Sequence, residues 1–346
     1  CKKMNSENKM FLSSSPHFTA GLSTQKIMLA VLISLLPECI YGVIVFGLPA
    51  LATILVSVAS CFVFEFLFQK ITRQKIVVSN LSCCLTGVLL ALVIPSTTPL
   101  WMTVLGALVA IVIAKGLFGG IGSNVFNPAL TGRAFMFISF PVALGASWFN
   151  PATDAISSAT VLSQVKAGSF VADSSVYLQY FFGNRAGCIG ETSILLILLS
   201  FAFLAFTKII DWRAPIAMVG TVAVCTFVSG GDVLFALLSG GLLFGATFMV
   251  TDYSTAPVTK KGRLVFGFGC GLITFLIRKF GGYPEGVMFS ILIMNAVAPF
   301  LNNLSARKYG YGKKGNRKPA PKKIIQDFDV SNAVPLEQKK NAEAEK

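Results

Sequence analysis

From Ile27 to Gln69 the chain carries only two charged side chains, Glu38 and Glu65. So long an apolar run constrains the fold more than any other feature, because an α-helix needs roughly 20 such residues to cross the hydrocarbon core of a bilayer. Comparable runs recur along the chain, and ten helical spans are read at about 26–47, 50–69, 80–94, 100–115, 124–140, 191–210, 214–230, 233–250, 264–279 and 285–302. Charged residues make up 13% of the 346 residues and mean hydropathy is +0.72, whereas soluble domains carry roughly 25% charged residues. Backbone groups inside lipid must be satisfied within the chain, which favours helices. The expected fold class is an all-α polytopic membrane protein, and an even number of spans puts both termini on one side.

The formal net charge of +14 would point to nucleic acid in a soluble protein. Here much of it falls in short connections and in the tail after Arg307, so it reads as orientation signal, with no nucleic-acid partner. Lys70, Arg73 and Lys75, then Lys115, then Lys208 and Arg213, then Lys260, Lys261 and Arg263 all fall on the face shared with the termini. The opposite face receives the charge-free turns "GLP" and "PSTTPL", the "SGGD" turn and the long interval 141–190; Arg278 and Lys279 are the exceptions. Both termini are therefore expected in the cytoplasm of a bacterial or archaeal cell, with 141–190 outside the cytoplasmic membrane.

The two halves echo each other. "GGIGSNVFNPALTGRAF" (119–135) opens the fifth span and "GGYPEGVMFSILIMNAVAPF" (281–300) the tenth, each a Gly-Gly turn entering an apolar helix that carries an Asn. Five spans per half make such a repeat inverted across the membrane, an arrangement that builds central sites from broken helices; chance likeness between Gly-rich helices is the competing account. The divisions are a cytoplasmic segment 1–25, a first five-helix unit 26–140, a long extracytoplasmic loop 141–190, a second five-helix unit 191–305 and a basic cytoplasmic tail 306–346. The tail has few residues able to build a core and is expected to be disordered, to dock on a partner or to lie against anionic lipid. The eight cysteines form no CxxC pair and there is one histidine, His17, so no metal site is expected. "GGIG" lacks the strand-turn-helix setting of a dinucleotide fingerprint.

Three constellations carry chemistry. In "TDAISSATVL" (153–162), Asp154, Ser157, Ser158 and Thr160 crowd together, either as a modification site or as caps of a short surface helix. Asn124, Asn127 and Arg133 surround Pro128 at the start of the fifth span, where they line a second cofactor site or an ion path, unless Asn127 caps a half-helix and Arg133 pairs within the bundle. Asp252, Glu65 and Glu38 are isolated acids in apolar sequence and are candidates for an ion path. Interfacial placement is the alternative for Asp252, Glu65 and Glu285, and the residues do not distinguish Na+ from H+.

The pattern Asp154-x-x-Ser157-x-Ala159-Thr160 resembles the recognition motif of bacterial flavin transferases, which move FMN from FAD onto a threonine hydroxyl. Ser158 stands where that pattern has Gly. The blocks at 123–141, 189–216, 244–267 and 281–302 resemble the D subunits of Rnf complexes, ion-translocating ferredoxin:NAD oxidoreductases related to the sodium-translocating NADH:quinone reductases through the B subunit of the latter. The resemblance implies FMN held covalently on Thr160 by a phosphoester, with Asp154, Ser157, Ser158 and Ala159 as the flavinylation motif. It allows a noncovalent riboflavin within the bundle. It further implies a flavin transferase during maturation, a sister subunit with its own covalent FMN, iron–sulfur subunits, and an enzyme complex whose complete active site lies beyond this chain. The alternative is a stand-alone secondary transporter or channel for a small solute, which inverted repeats would equally suit.

Overall fold

The computed structural model describes residues 23–305 apart from 75, 77, 146, 152–154, 158–161, 163–164, 166–173, 184 and 284. The described residues up to 302 belong to one compact unit; of the second, 303–346, only 303–305 are described. Helix α1 (Thr24–Phe46) starts where the Ser23 hydroxyl accepts from the Lys26 amide at 3.3 Å. It is followed by α2 (Leu48–Ile71), and both are long and apolar enough to cross a membrane. Their faces are reversed relative to a soluble helix. Helix α2 buries Ala50, Thr53, Ser57, Cys61 and Glu65, at the spacing of one helical face, while Leu48, Leu55 and Ile71 are exposed. Hydrocarbon, not water, is the solvent such an exterior fits.

Shorter helices follow. Helix α3 (Ser82–Leu92) is buried along most of its length. Helix α4 (Leu100–Leu108) widens into π turns over Val109–Gly116. Helix α5 (Pro128–Ser139) precedes the short α6 (Pro141–Gly145). Strands β1 (Trp148–Asn150) and β2 (Ala155–Ser157) pair antiparallel, with Trp148 opposite Ser157. Then come α7 (Ser174–Phe182), a 3-10 turn at Ile189–Glu191, α8 (Ile194–Phe206) and α9 (Arg213–Val228). Helix α10 (Val233–Leu238) and α11 (Leu242–Phe244), which runs on as π turns over Gly245–Met249, lead to α12 (Lys260–Phe280) and α13 (Val287–Ser305).

Several expectations are revised. The span read at 233–250 is broken between α10 and α11, where Gly240 takes φ +66°. The carbonyls released there are satisfied by arginines: Arg185 donates to Leu238 O at 2.8 Å, and Arg278 donates to Ala236 O at 2.6 Å and Ser239 O at 3.0 Å. Broken helices persist at membrane depth only with such partners. Arg278 departs from the charge pattern because its guanidinium is consumed inside the protein. Lys115, assigned from sequence to a cytoplasmic connection, is buried in the π segment of α4. The interval 141–190 is not a bare loop, since it contains α6, the ribbon and α7, and the ribbon adds a small β element to the all-α reading.

Close helix contacts rest on glycine. A Cβ on Gly267 of α12 would collide with Ala214 O of α9, and one on Gly271 would lie 2.5 Å from Met218 O. Small residues at these positions let two backbones approach, the packing mode lipid-embedded helices use. Gly190 is wedged between Leu92 at the end of α3 and Phe244 of α11, so these two short helices meet there.

Candidate functional site

At one end of the unit, the start of α1, the start of α3, the 121–129 segment, the end of α8 and the 251–254 turn converge on a cavity of about 280 Å³. Its walls are apolar at Met28, Leu85 and Phe248 and polar at Thr86, Asn124 and Asp252. Asn127 starts α5: its side-chain oxygen accepts from the Ala129 and Leu130 amides at 3.1 and 3.3 Å, and Pro128, which lacks an amide hydrogen, takes the first helical position. Asn124 donates to Ser254 Oγ at 3.0 Å and to Phe126 O at 3.1 Å. Asp252, in the turn after α11, gathers Ser254 Oγ at 3.2 Å and Thr255 Oγ1 at 3.1 Å. The Asp252 carboxylate, the Ser254 hydroxyl and the Asn124 amide thus face one space from two distant segments.

Beside this cavity the Lys115 ammonium, which also lines it, donates to Glu65 Oε2 at 2.6 Å and to Ser82 Oγ at 2.9 Å. Gln69 supports the other carboxylate oxygen at 3.3 Å. On the connection between α8 and α9, Asp211 receives Arg213 at 2.9 Å and Arg263 at 2.8 Å. Partial burial pushes the Asp211 carboxyl up, but hydrogen bonds from the Arg213 amide and the Arg263 and Arg213 side chains outweigh it and hold it below the usual carboxylate range. The clamp ties the start of α9 to the start of α12. Glu38 sits apart, between α1 and α8, taking a 2.7 Å contact with Ser200 Oγ.

Further along α5 from Asn127 lies a buried charge cluster. Arg133 of α5 lies 3.5 Å from Glu285 and 3.9 Å from Glu191, with the Cys188 sulfur at 3.6 Å. Glu285 also accepts from the Gly241 amide, and Arg185 donates to Glu191 O. Tyr41 of α1 donates to Phe182 O at 2.6 Å, and Thr97 donates to Ser147 O at 2.6 Å. These bonds tie Phe182 to α1 and Ser147 to the turn after α3.

The structure therefore brings Asn124, Asn127 and Asp252 to one cavity, with Lys115 and its partner Glu65 alongside, and separates Arg133 from the two asparagines. Glu38 does not line that cavity. Asp154, Ser158, Ala159 and Thr160 lie outside the described residues, and Ser157 is described only as backbone in β2. Arg185, Glu191 and Lys115 were missed as site residues. Their one sequence signal is opposite charge within apolar surroundings, and the pairing of Lys115 with Glu65, fifty positions apart, is a product of folding. Among the described residues no group of three or more His, Cys, Asp or Glu is placed to hold a metal ion.

Ionisable groups buried against interrupted helices fit an embedded, many-helix membrane protein that holds charged side chains in its interior. The chain belongs to the NQR2, RnfD, RnfE family, whose pattern matches residues 11–310. It is 42% identical over 310 residues, 89% of this chain and 97% of the relative, to the D subunit of the Na+-translocating ferredoxin:NAD+ oxidoreductase complex of Acetobacterium woodii. It is 39% identical over 316 residues (86% of this chain, 95% of the relative) to the D subunit of the proton-translocating ferredoxin:NAD+ oxidoreductase complex of Clostridium ljungdahlii. The D subunit of an Escherichia coli ion-translocating oxidoreductase complex is 35% identical over 349 residues, covering 87% of this chain and 99% of that one.

Proposed function

We propose that this chain is the D-type membrane subunit of an Rnf ion-translocating ferredoxin:NAD oxidoreductase, carrying electrons through FMN joined to Thr160 and contributing to Na+ or H+ passage. The observation that carries the reading is identity along nearly the whole length to relatives named as D subunits of such complexes, joined to the Asp154-to-Thr160 pattern, which keeps its acceptor threonine and departs from the motif at Ser158. Attachment is a transfer from FAD. The Thr160 oxygen bonds to the FMN-side phosphorus, the pyrophosphate bond breaks, AMP leaves and the hydroxyl proton is released, all under a separate transferase. FMN supplies one- or two-electron chemistry when bound. The chain's contribution is to fix it outside the cytoplasm, where a dissociated flavin would be lost.

The topology that fits has both termini in the cytoplasm. The cavity end then faces the cytoplasm, because Lys26, Lys70, Lys208, Lys260 and Lys261 belong to helix ends on that side. Two inverted five-helix units fit the interrupted helices α10–α11 and the contact of α3 with α11 at Gly190. The Asn124 cavity suits a noncovalent riboflavin. Its volume of about 280 Å³ lies at the lower edge of small-molecule sites, roughly 300–1,000 Å³, and its mixture of apolar walls and a few polar groups is that of a heteroaromatic site. Asn124 and Thr86 would supply the polar contacts. Asp252, with Ser254 and Thr255, offers oxygens to a passing cation. The sister FMN subunit, the iron–sulfur subunits and the transferase complete the assembly.

The test is flavin fluorescence of the denatured, washed chain from a host with a flavin transferase, followed by mass spectrometry of the Thr160 peptide. FMN mass on Thr160, lost in Thr160→Val with the fold retained, is expected. Covalent flavin surviving in that variant would defeat the assignment, and an unmodified Thr160 in the parent chain would favour a solute transporter.

A further inference from the structure

Glu38 is a buried acid that neither the cavities nor the ion pairs above use. It is 3% exposed on α1, and among the described residues no Lys or Arg forms an ion pair with it. The elements packed against α1 are α8, α2, α3 and the turns at 78–80 and 189–191. Their charged groups are committed elsewhere: Glu65 of α2 to Lys115, Glu191 of the 189–191 turn to Arg133, and Lys70, in the last turn of α2, to the face of Phe66. Lys26 sits in the first turn of α1, and Tyr41 donates to Phe182 O. The other titratable side chains on these elements are the thiols Cys39, Cys61, Cys83 and Cys84.

The contacts of Glu38 fix where its hydrogen lies. Ser200 Oγ of α8 is 2.7 Å from Glu38 Oε1 and 2.7 Å from Ser34 O. A serine hydroxyl has one hydrogen to donate, and the Ser34 carbonyl has none. Both contacts are hydrogen bonds only when Glu38 carries a proton and donates it to Ser200 Oγ, which donates in turn to Ser34 O. Glu38 Oε2 is buried and meets no donor among the described residues. That suits the carbonyl oxygen of a neutral acid, whereas an ionised carboxylate would be stranded there. The Ser34 hydroxyl is spent on Val31 O at 2.7 Å, so the oxygens around Glu38 are too few for a hard metal cation, which takes roughly six or more. A single proton fits.

Ser200 is the middle residue of α8, and Glu38 lies three residues past the middle of α1. These helices are the first of the two five-helix units. The pair is thus at mid-depth where the units meet, the place where transporters built from inverted repeats hold a coupling ion. We infer that Glu38 and Ser200 form a proton-binding site on the ion route of this chain. The Glu38 carboxylate takes up one proton and releases it again, and Ser200 accepts from the acid while anchored to Ser34 O. The inference rests on the reading of the chain as a subunit of an ion-translocating oxidoreductase.

The test uses the whole complex in membrane vesicles. Infrared difference spectra of the parent against Glu38→Gln at neutral pH are expected to show the carbonyl band of a protonated carboxyl in the parent alone; carboxylate bands in its place overturn the site. Ser200→Ala removes the acceptor and is expected to move that band to the higher frequency of an unbonded acid, and an unmoved band overturns the link to Ser200. A glutamine amide donates to Ser200 as the acid does, so Glu38→Gln is expected to fold. Its proton uptake per electron passed from reduced ferredoxin to NAD is expected to fall severalfold. An unchanged ratio, or uptake of Na+ in place of protons, overturns the transport role. Should the variant not fold, dicyclohexylcarbodiimide, which attacks protonated carboxyls within membranes, is expected to modify Glu38 in the parent chain, and an unmodified Glu38 peptide by mass spectrometry counts against the site. Absence of ferredoxin-to-NAD electron transfer in the parent vesicles would sink the subunit reading, while the infrared band still decides whether Glu38 holds a proton.

Discussion

Lys115 and Glu65 show what a charge needs in an apolar interior. Both are almost fully buried, joined at 2.6 Å and flanked by Ser82 and Gln69. Removing one partner leaves the other charge uncompensated, at a cost of about 3–5 kcal/mol, whereas replacing both by apolar groups of similar size is close to neutral. Lys115→Met is therefore expected to lower thermal stability in detergent sharply, and Lys115→Met with Glu65→Met to recover most of it. Additive losses in the double variant would mean that the two side chains do not stabilise one another. Glu65 was legible in the sequence as a lone acid in an apolar run, and Asn127 as the residue before Pro128. The partner of Glu65 was not legible, because pairing between α2 and α4 exists only once the helices pack.

Among the elements, α9 and α12 form the contact most sensitive to side-chain size. Gly267→Ala forces a methyl group against the Ala214 carbonyl, and overpacking of this kind typically costs about 1–3 kcal/mol. At Gly220 on α9 an added methyl group would meet nothing within 4 Å, so Gly220→Ala is expected to be neutral or stabilising by up to about 1 kcal/mol. Thermal unfolding of the two variants in the same detergent compares them, and equal effects would show that the close approach does not matter. Helix boundaries for α1, α2 and α4 followed from the apolar runs within a few residues. The break between α10 and α11 did not, since its carbonyls are satisfied by Arg185 and Arg278, which approach from elsewhere in the chain.

For the whole molecule the expected topology places the 141–190 interval opposite the termini. A reporter that fluoresces only in the cytoplasm should be bright when fused after Ser305 and dark when the chain is cut and fused at 170; the reverse pattern would invert the assignment. A membrane-embedded helical chain, the two long apolar helices α1 and α2, and the family followed from sequence alone, because apolar runs of span length have few other stable environments and because whole blocks of residues match the family. The gathering of Asn124 with Asp252, the inward turn of Lys115 and the Arg133 cluster were decided by tertiary structure. Charges buried away from water need partners, and which partners they meet depends on how the helices cross, not on their order in the chain.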